Sequence, residues 1–276
     1  MEDIKLQDDE FRLISQLLYR RYGINLTEQK RALMVERLQK TLRTGQFTSY
    51  KAYYKHVISD TSGKALLHMV DKLSTNHTFF FREAEHYDFL RLRALPEIVA
   101  SLQKQGSRKI RIWSAGCSSG EEAYTAAMVI SEFFGAELSE WDVGILATDI
   151  SVTALEKARS GLYDNSQLAC IPPTYRIRYF KPSGSGKWSV LPEIQDMILF
   201  RRLNLMNESY PFKGLFNVIF CRNVMIYFDN ATQQKLINQM HYYTEPDGYL
   251  FVGHSESLSQ YRSLYKYVQP AIFQKK

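Results

Sequence analysis

The chain has 276 residues, 45% hydrophobic and 23% charged, a balance that excludes a disordered chain and fits one sizeable domain with a smaller one beside it. No run reaches the roughly 18 apolar residues of a membrane span. The acidic start MEDIKLQDDE lacks an apolar core region, so a cytoplasmic protein without membrane insertion is expected. The net charge is +6, and residues 1–70 hold 12 Lys plus Arg against 8 Asp plus Glu, which puts the basic excess at the front.

Four helical patterns come first. One runs from the Asp8/Asp9 pair through Phe11, Ile14, Leu17 and Leu18 to Gly23 as a stop signal. A second follows Thr27 and places Val35, Leu38 and Leu42 at helical spacing, with Lys30, Arg37 and Lys40 on a common side. That stripe reads either as a solvated face or as a docking surface for an acidic partner. A third begins after Ser49 with Tyr50, Tyr53, Tyr54 and Val57, and a fourth holds Leu66, Leu67, Val70 and Leu73. Residues 1–72 thus read as a small helical domain, and residues 73–276 as a second domain.

Beyond Pro96 and the polar stretch 103–109, strands at 110–115, 143–148, 197–202, 217–221 and 248–253 alternate with helices at 120–134, 151–160 and 230–243. This is the signature of an α/β fold, a mainly parallel sheet covered on both faces. The last helix takes Asp229 or Asn230 as its cap. An insert, about 161–196, carries Pro172, Pro173, Pro182 and an SGSG turn, and alternation around Trp188 and Val190 predicts a small antiparallel hairpin. The tail LYKYVQPAIFQ suits a late edge or antiparallel strand, with Pro270 favouring the edge.

The richest stretch is IRIWSAGCSSGEE, residues 110–122: a buried strand, a turn of small residues, and two carboxylates opening a helix. Such a turn presents backbone N–H groups to a ligand. Its glycines, Gly116 and Gly120, do not match the dinucleotide fingerprint G-x-G-x-x-G, and the next strand ends in Asp149, well beyond the expected spacing of about 20 residues. A carboxylate there still suits a ribose diol, so an adenosine without a pyrophosphate is indicated, as in S-adenosylmethionine. The competing reading makes Asp149 an N-cap. Three further polar clusters fall where the carboxyl edge of a parallel sheet is expected. In TNHTFFFRE, residues 75–83, Asn76, Thr78 and Arg82 alternate with phenylalanines, which predicts buried rings and polar groups turned to one site. The others are Asn204-Leu205 after the third strand and FCRNVMIYF, residues 220–228, at the end of the fourth. His77, His86 and His254 have no metal-ligand spacing, and Cys117, Cys170 and Cys221 are far apart, so no metal is expected. Glu256 reads as a loop hydrogen-bonder.

TNHTFFFRE, WSAGCSSGEEAYT, ATDIS, CRNVMIYF and GHSESL, in that order, resemble the signatures of the chemotaxis receptor protein-glutamate O-methyltransferases (CheR type), and the resemblance covers nearly the whole chain. It implies a Rossmann-like class I methyltransferase sheet, a small all-helical amino-terminal domain that helps dock the receptor, and a small antiparallel β-subdomain insert. It further implies S-adenosylmethionine as cofactor and S-adenosylhomocysteine as product. The cofactor contacts would be Asn76, Thr78, Arg82, Gly116, Glu122 (in preference to Glu121), Asp149, Asn204, Leu205, Arg222 and Asn223, with Arg82 and Tyr227 facing the methyl group and the incoming glutamate. The implied partner is the cytoplasmic domain of methyl-accepting receptors, met transiently at receptor arrays by a monomer. Some members grip a receptor tail peptide with the insert; the short SGSGKW loop here predicts tether-independent action.

The chemistry needs little of the protein's acid–base repertoire. A glutamate with a reference pKa near 4.3 is ionised at neutral pH, so no catalytic His or Cys is required. Positioning the three reacting atoms in line is the task, and it relieves the barrier by about 7 to 11 kcal/mol at most. Arg82 as a planar fork and Tyr227 as a donor fit that task. Methylation of nucleic acid is disfavoured because residues 71–276 carry only +2, so no nucleic acid is expected. A non-catalytic scaffold is the remaining alternative.

Overall fold

The computed structural model describes residues 4–261 and 263–276. Four helices come first: α1 Asp8–Tyr22, α2 Arg31–Thr44, α3 Tyr50–Ser59 and α4 Lys64–Leu73. Helix α1 begins with a capping box between Gln7 and Glu10 and stops at Gly23, whose φ of 69° is left-handed. Ile14, Leu18, Met34, Leu38, Leu42 and Tyr50 close over one apolar core. The buried face of α2 is Met34, Leu38 and Leu42, with Val35 at its flank, one position from the expected phase. The basic stripe divides. Arg37 donates to the carbonyls of Leu73 (3.2 Å) and Ser74 (2.6 Å), Lys30 turns toward the Tyr227 ring, and of the three only Lys40 is exposed. A common docking face made of all three is therefore not formed.

Residues 85–104 form a helical stretch that the sequence reading missed: α5 Glu85–Phe89, a π segment Leu90–Ala94, and α6 Leu95–Lys104. Pro96 has no N–H to donate, and just before it Leu95 N–H reaches Leu90 O, five residues back. A proline read as a boundary is here accommodated by a wider turn.

The sheet strands are β1 Lys109–Ala115 and β2 Asp142–Asp149, followed by the insert strands β3 Leu162–Asp164, β4 Phe180–Pro182 and β5 Lys187–Val190, and then β6 Ile198–Arg202, β7 Phe216–Cys221, β8 Thr244–Val252, β9 Tyr265–Gln269 and β10 Ile272–Lys275. Helices α7 Glu121–Phe134, α8 Val152–Ser160, α9 Pro173–Tyr179, α10 Pro192–Gln195 and α11 Asn230–Tyr243 connect them. The main sheet has the order β6-β2-β1-β7-β8-β10-β9, parallel from β6 to β8 and antiparallel at β10 and β9. The tail is thus a hairpin turning at Pro270 and Ala271 rather than one strand. Strand β1 alternates: Ile110 and Ile112 pack with Ala123, Tyr124 and Ile130 of α7, while Trp113 and Ala115 pack with Leu236 and Ile237 of α11 on the other face. The insert forms a three-stranded antiparallel sheet, β3-β5-β4. Strand order reverses between β1 and β7, and in open α/β sheets that switch point, at the carboxyl ends of the strands, is where a ligand crevice opens.

Candidate active site

A cavity of about 300 Å³ occupies that crevice. At Gly116, where β1 ends, φ is +89° and an added Cβ would lie 2.4 Å from Val224 Cγ2, so a side chain has no room where the two loops meet. The backbone then turns through Ser118, also left-handed at φ 50°, and Ser118 N–H donates to Asp149 Oδ2 at 2.7 Å. Ser151 N–H donates to Asp149 Oδ1 at 2.9 Å. Burial raises the Asp149 carboxyl above the usual aspartate value, while these backbone donors oppose the shift. Ser151, not Asp149, caps α8: its Oγ accepts from Ala154 N–H. The N-cap alternative for Asp149 is therefore overturned, and its carboxylate stands at the end of β2 in the cavity wall.

Of the two glutamates opening α7, Glu122 lines the cavity and Glu121 does not. Glu121 accepts from Ser119 Oγ and, on the insert side, from Gln167 Nε2. Glu122 accepts from Ser114 Oγ at 2.7 Å and from Arg222 Nη1 at 3.2 Å. Burial raises its pKa, and the Arg222 charge works against that rise. Arg222 itself donates from Nε and Nη2 to Glu83 Oε2, from Nη1 to the Tyr87 hydroxyl as well as Glu122, and from Nη2 to the Arg82 carbonyl. Its donors all have protein acceptors, so it braces the wall. Asn204 behaves similarly. Its Nδ2 donates to Arg21 O at 2.7 Å and its Oδ1 accepts from Met206 N–H at 3.0 Å, which ties the end of α1 to the loop after β6.

The loop after β7 is pinned by Glu256. Its carboxylate accepts from the backbone N–H groups of Gly253, Asn223, Met225 and Ile226. The loop-bonding reading of Glu256 holds. Asn223 adopts φ 58° in this loop, a conformation Asn tolerates well, and reaches the cavity. Tyr227 follows on a short 3₁₀ turn, Met225–Tyr227, and its hydroxyl has no protein hydrogen bond among the described residues.

Arg82 sits between two left-handed residues, Phe81 and Glu83, both at φ 56°. Its Nη1 donates to His77 O at 3.0 Å and its guanidinium lies over the Phe79 ring, 5.8 Å from the centroid. The expectation that all three phenylalanines are buried fails: Phe80 is buried in the core, Phe81 is half-buried, and Phe79 is 41% exposed and walls the cavity. Asn76 donates to Ser151 Oγ at 3.3 Å, and Thr78 and Leu205 complete the lining. All eleven residues singled out from the sequence therefore face one cavity.

The helical region supplies a wall that the sequence did not reveal, through Tyr22, Leu26, Lys30 and Leu33. The Lys30 ammonium stands 4.9 Å from the Tyr227 ring centroid, and burial lowers its pKa. Asn25 N–H donates to Tyr227 O, Tyr19 OH to Asp229 Oδ2, and Val152 and Thr153 N–H to Asp71, so the helices are latched around the opening. Nothing in local periodicity signals such contacts. The basic charge of Lys30 is the one signal of this wall in the sequence.

Chemically, the cavity offers two buried carboxylates, an arginine and a tyrosine at the rim, and apolar walls. Cys117 is buried, and desolvation pushes its thiol up. No described helix is long and apolar enough to cross a membrane. Residues 76–273 match the family described as CheR methyltransferase, SAM binding domain, and residues 9–74 match the CheR methyltransferase all-alpha domain. A chemotaxis protein methyltransferase of Borreliella burgdorferi is 40% identical, covering 99% of this chain and 96% of that one. One of Escherichia coli is 39% identical over 94% and 87%, and chemotaxis protein methyltransferase 1 of Pseudomonas aeruginosa is 35% identical over 94% of each.

Proposed function

The chain belongs to the CheR methyltransferase family, and on that premise we propose how its cavity methylates glutamate side chains of chemotaxis receptors with S-adenosylmethionine. The observation that carries the reading is the placement of two buried carboxylates, Asp149 and Glu122, in the same cavity as Arg82 and Tyr227. A buried carboxylate at the end of the second strand suits ribose hydroxyls, and a second one beside the helix start suits an amino-acid ammonium. Leu205 and Ile226 furnish apolar wall for a purine. The residues present thus fit the cofactor, which supplies a methyl group on a cationic sulfur.

The protein's own contribution is placement. Arg82, stacked on Phe79, presents its guanidinium to the incoming carboxylate and turns one oxygen toward the methyl donor. Tyr227 donates its free hydroxyl to the other oxygen. No proton has to leave the acceptor, because a glutamate is ionised at neutral pH. Lys30 and the neighbouring apolar residues of α1 and α2 cover the site and shield it from water. On this reading residues 1–72 are the docking unit and residues 73–276 the catalytic unit, acting as a monomer, transiently at receptor arrays, and independently of a receptor tail peptide.

The test is transfer of label from methyl-labelled S-adenosylmethionine to receptor-containing membranes, followed by mild base. Label released as volatile methanol identifies a glutamyl methyl ester. Base-stable label, or label that requires added RNA, overturns the glutamate reading, and cofactor binding without any transfer favours the scaffold. Measurable affinity for a receptor tail peptide would overturn tether independence.

A further inference from the structure

Three side chains outside the cavity lining meet beside it. Glu83 follows Arg82, His86 lies in α5, and His254 stands just beyond β8; their ligand atoms all fall within 4.8 Å of one another. No spacing in the sequence links the first two to the third, so only the fold assembles them. A second observation is independent of that clustering. His86 is completely buried, yet neither ring nitrogen has a hydrogen-bond partner among the described residues, although Nδ1 stands 3.4 Å from Glu83 Oε2. Buried polar atoms in folded proteins are nearly always satisfied. An imidazole with two open nitrogens, held against a carboxylate and another imidazole, is arranged for a ligand that accepts lone pairs.

We propose that Glu83, His86 and His254 form a binding site for a divalent transition-metal ion of the zinc type. Two imidazoles and one carboxylate are a donor set that such borderline ions take, leaving a fourth position for water. The surroundings supply the supporting contacts that metal ligands need. Glu83 Oε2 is fixed by Arg222 Nε and Nη2 at 3.2 Å, and Glu85 Oε1 lies 3.2 Å from His254 Nε2. The His86 and His254 rings meet edge to face at 5.1 Å, and His86 also rests on the Phe251 ring. A bound ion would clasp the turn carrying Arg82 to the loop after β8, both of which frame the cavity. This inference does not depend on the methyl-transfer reading.

The experiment is calorimetric titration of zinc into the chelator-treated protein, repeated with His254→Ala and with His86→Phe, which preserves a ring against Phe251. One ion per chain is expected, with binding weakened about tenfold or more in each variant. His254 is partly exposed, so its replacement leaves the fold intact even if the buried variant does not. Cobalt as a probe should give visible bands without a sulfur charge-transfer band. Absence of zinc binding, equal affinity in His254→Ala, or a sulfur band that marks the exposed Cys170 would each overturn the site.

Discussion

Replacing Arg222 by methionine tests whether this residue braces the cavity or grips the cofactor. Its side chain is 2% exposed, and its two carboxylate partners, Glu122 and Glu83, are 11% and 14% exposed. The substitution conserves much of the volume but leaves the buried Glu122 carboxylate with Ser114 Oγ as its partner among the described residues and takes a donor from the Tyr87 hydroxyl and the Arg82 carbonyl. Removing one partner of a buried pair destabilises by about 3 to 5 kcal/mol, against a total stability of about 5 to 15 kcal/mol. Urea unfolding of the wild type and Arg222→Met should show that loss as a lower midpoint at unchanged slope. Adding Glu122→Gln to the variant should restore about 1 to 2 kcal/mol, because the buried charge is gone. A loss below about 1 kcal/mol, accompanied by a raised cofactor Kd, would refute the bracing role and make Arg222 a cofactor ligand.

Tyr227→Phe should lower kcat about 10- to 100-fold, the worth of one hydrogen bond to a charged acceptor, and leave cofactor affinity unchanged by calorimetry; an unaltered kcat would exclude the hydroxyl from the reaction. Gly116→Ala should destabilise by more than about 1 kcal/mol, since φ is +89° and the new methyl meets Val224 Cγ2. Val224→Ala in the same chain should relieve only the steric part, and a thermally silent Gly116→Ala would show that the loops separate freely. Burial raises the carboxyl groups of Asp149 and Glu122 above their ordinary 3.8 and 4.5. Acidification therefore protonates both at a higher pH than free side chains and removes negative charge from a site for a cationic ligand, so cofactor affinity should fall on acidification before free carboxylates would titrate. An affinity that stays flat through acidification into the ordinary carboxylate range would contradict that electrostatic role.

The parts of the fold written in local pattern were legible: the buried apolar run of β1, the Asp229 cap on α11, and the small-residue turn at Gly116 all act within a few residues. What failed depended on distance or compensation. Pro96 marks a helix end by local rules, yet the π segment before it lets the helix continue. Phe79 reads as core from its neighbours, but an exposed ring is what Arg82 stacks on. The α2 stripe reads as a uniform basic face; Arg37 reaches the carbonyls closing α4 and Lys30 reaches Tyr227, and both partners lie far along the chain.

The same limit bears on how hydrogen-bonding capacity is divided among the motif residues. Arg222, Asn204 and Glu256 fall in or beside the sequence motifs, but protein groups take the Arg222 donors, both ends of the Asn204 amide and both Glu256 oxygens. Such residues fix the loops after β6, β7 and β8. Among the described residues the Tyr227 hydroxyl, by contrast, has no protein partner, and the Arg82 guanidinium makes one hydrogen bond, to a carbonyl. Asp149 lies between these groups, because each carboxylate oxygen holds a backbone N–H and retains a lone pair for a ligand. A motif of this kind encodes both the grip and the frame that holds it. Hydrogen-bond capacity, which only the folded geometry reveals, separates the two and predicts which substitutions change turnover and which change stability.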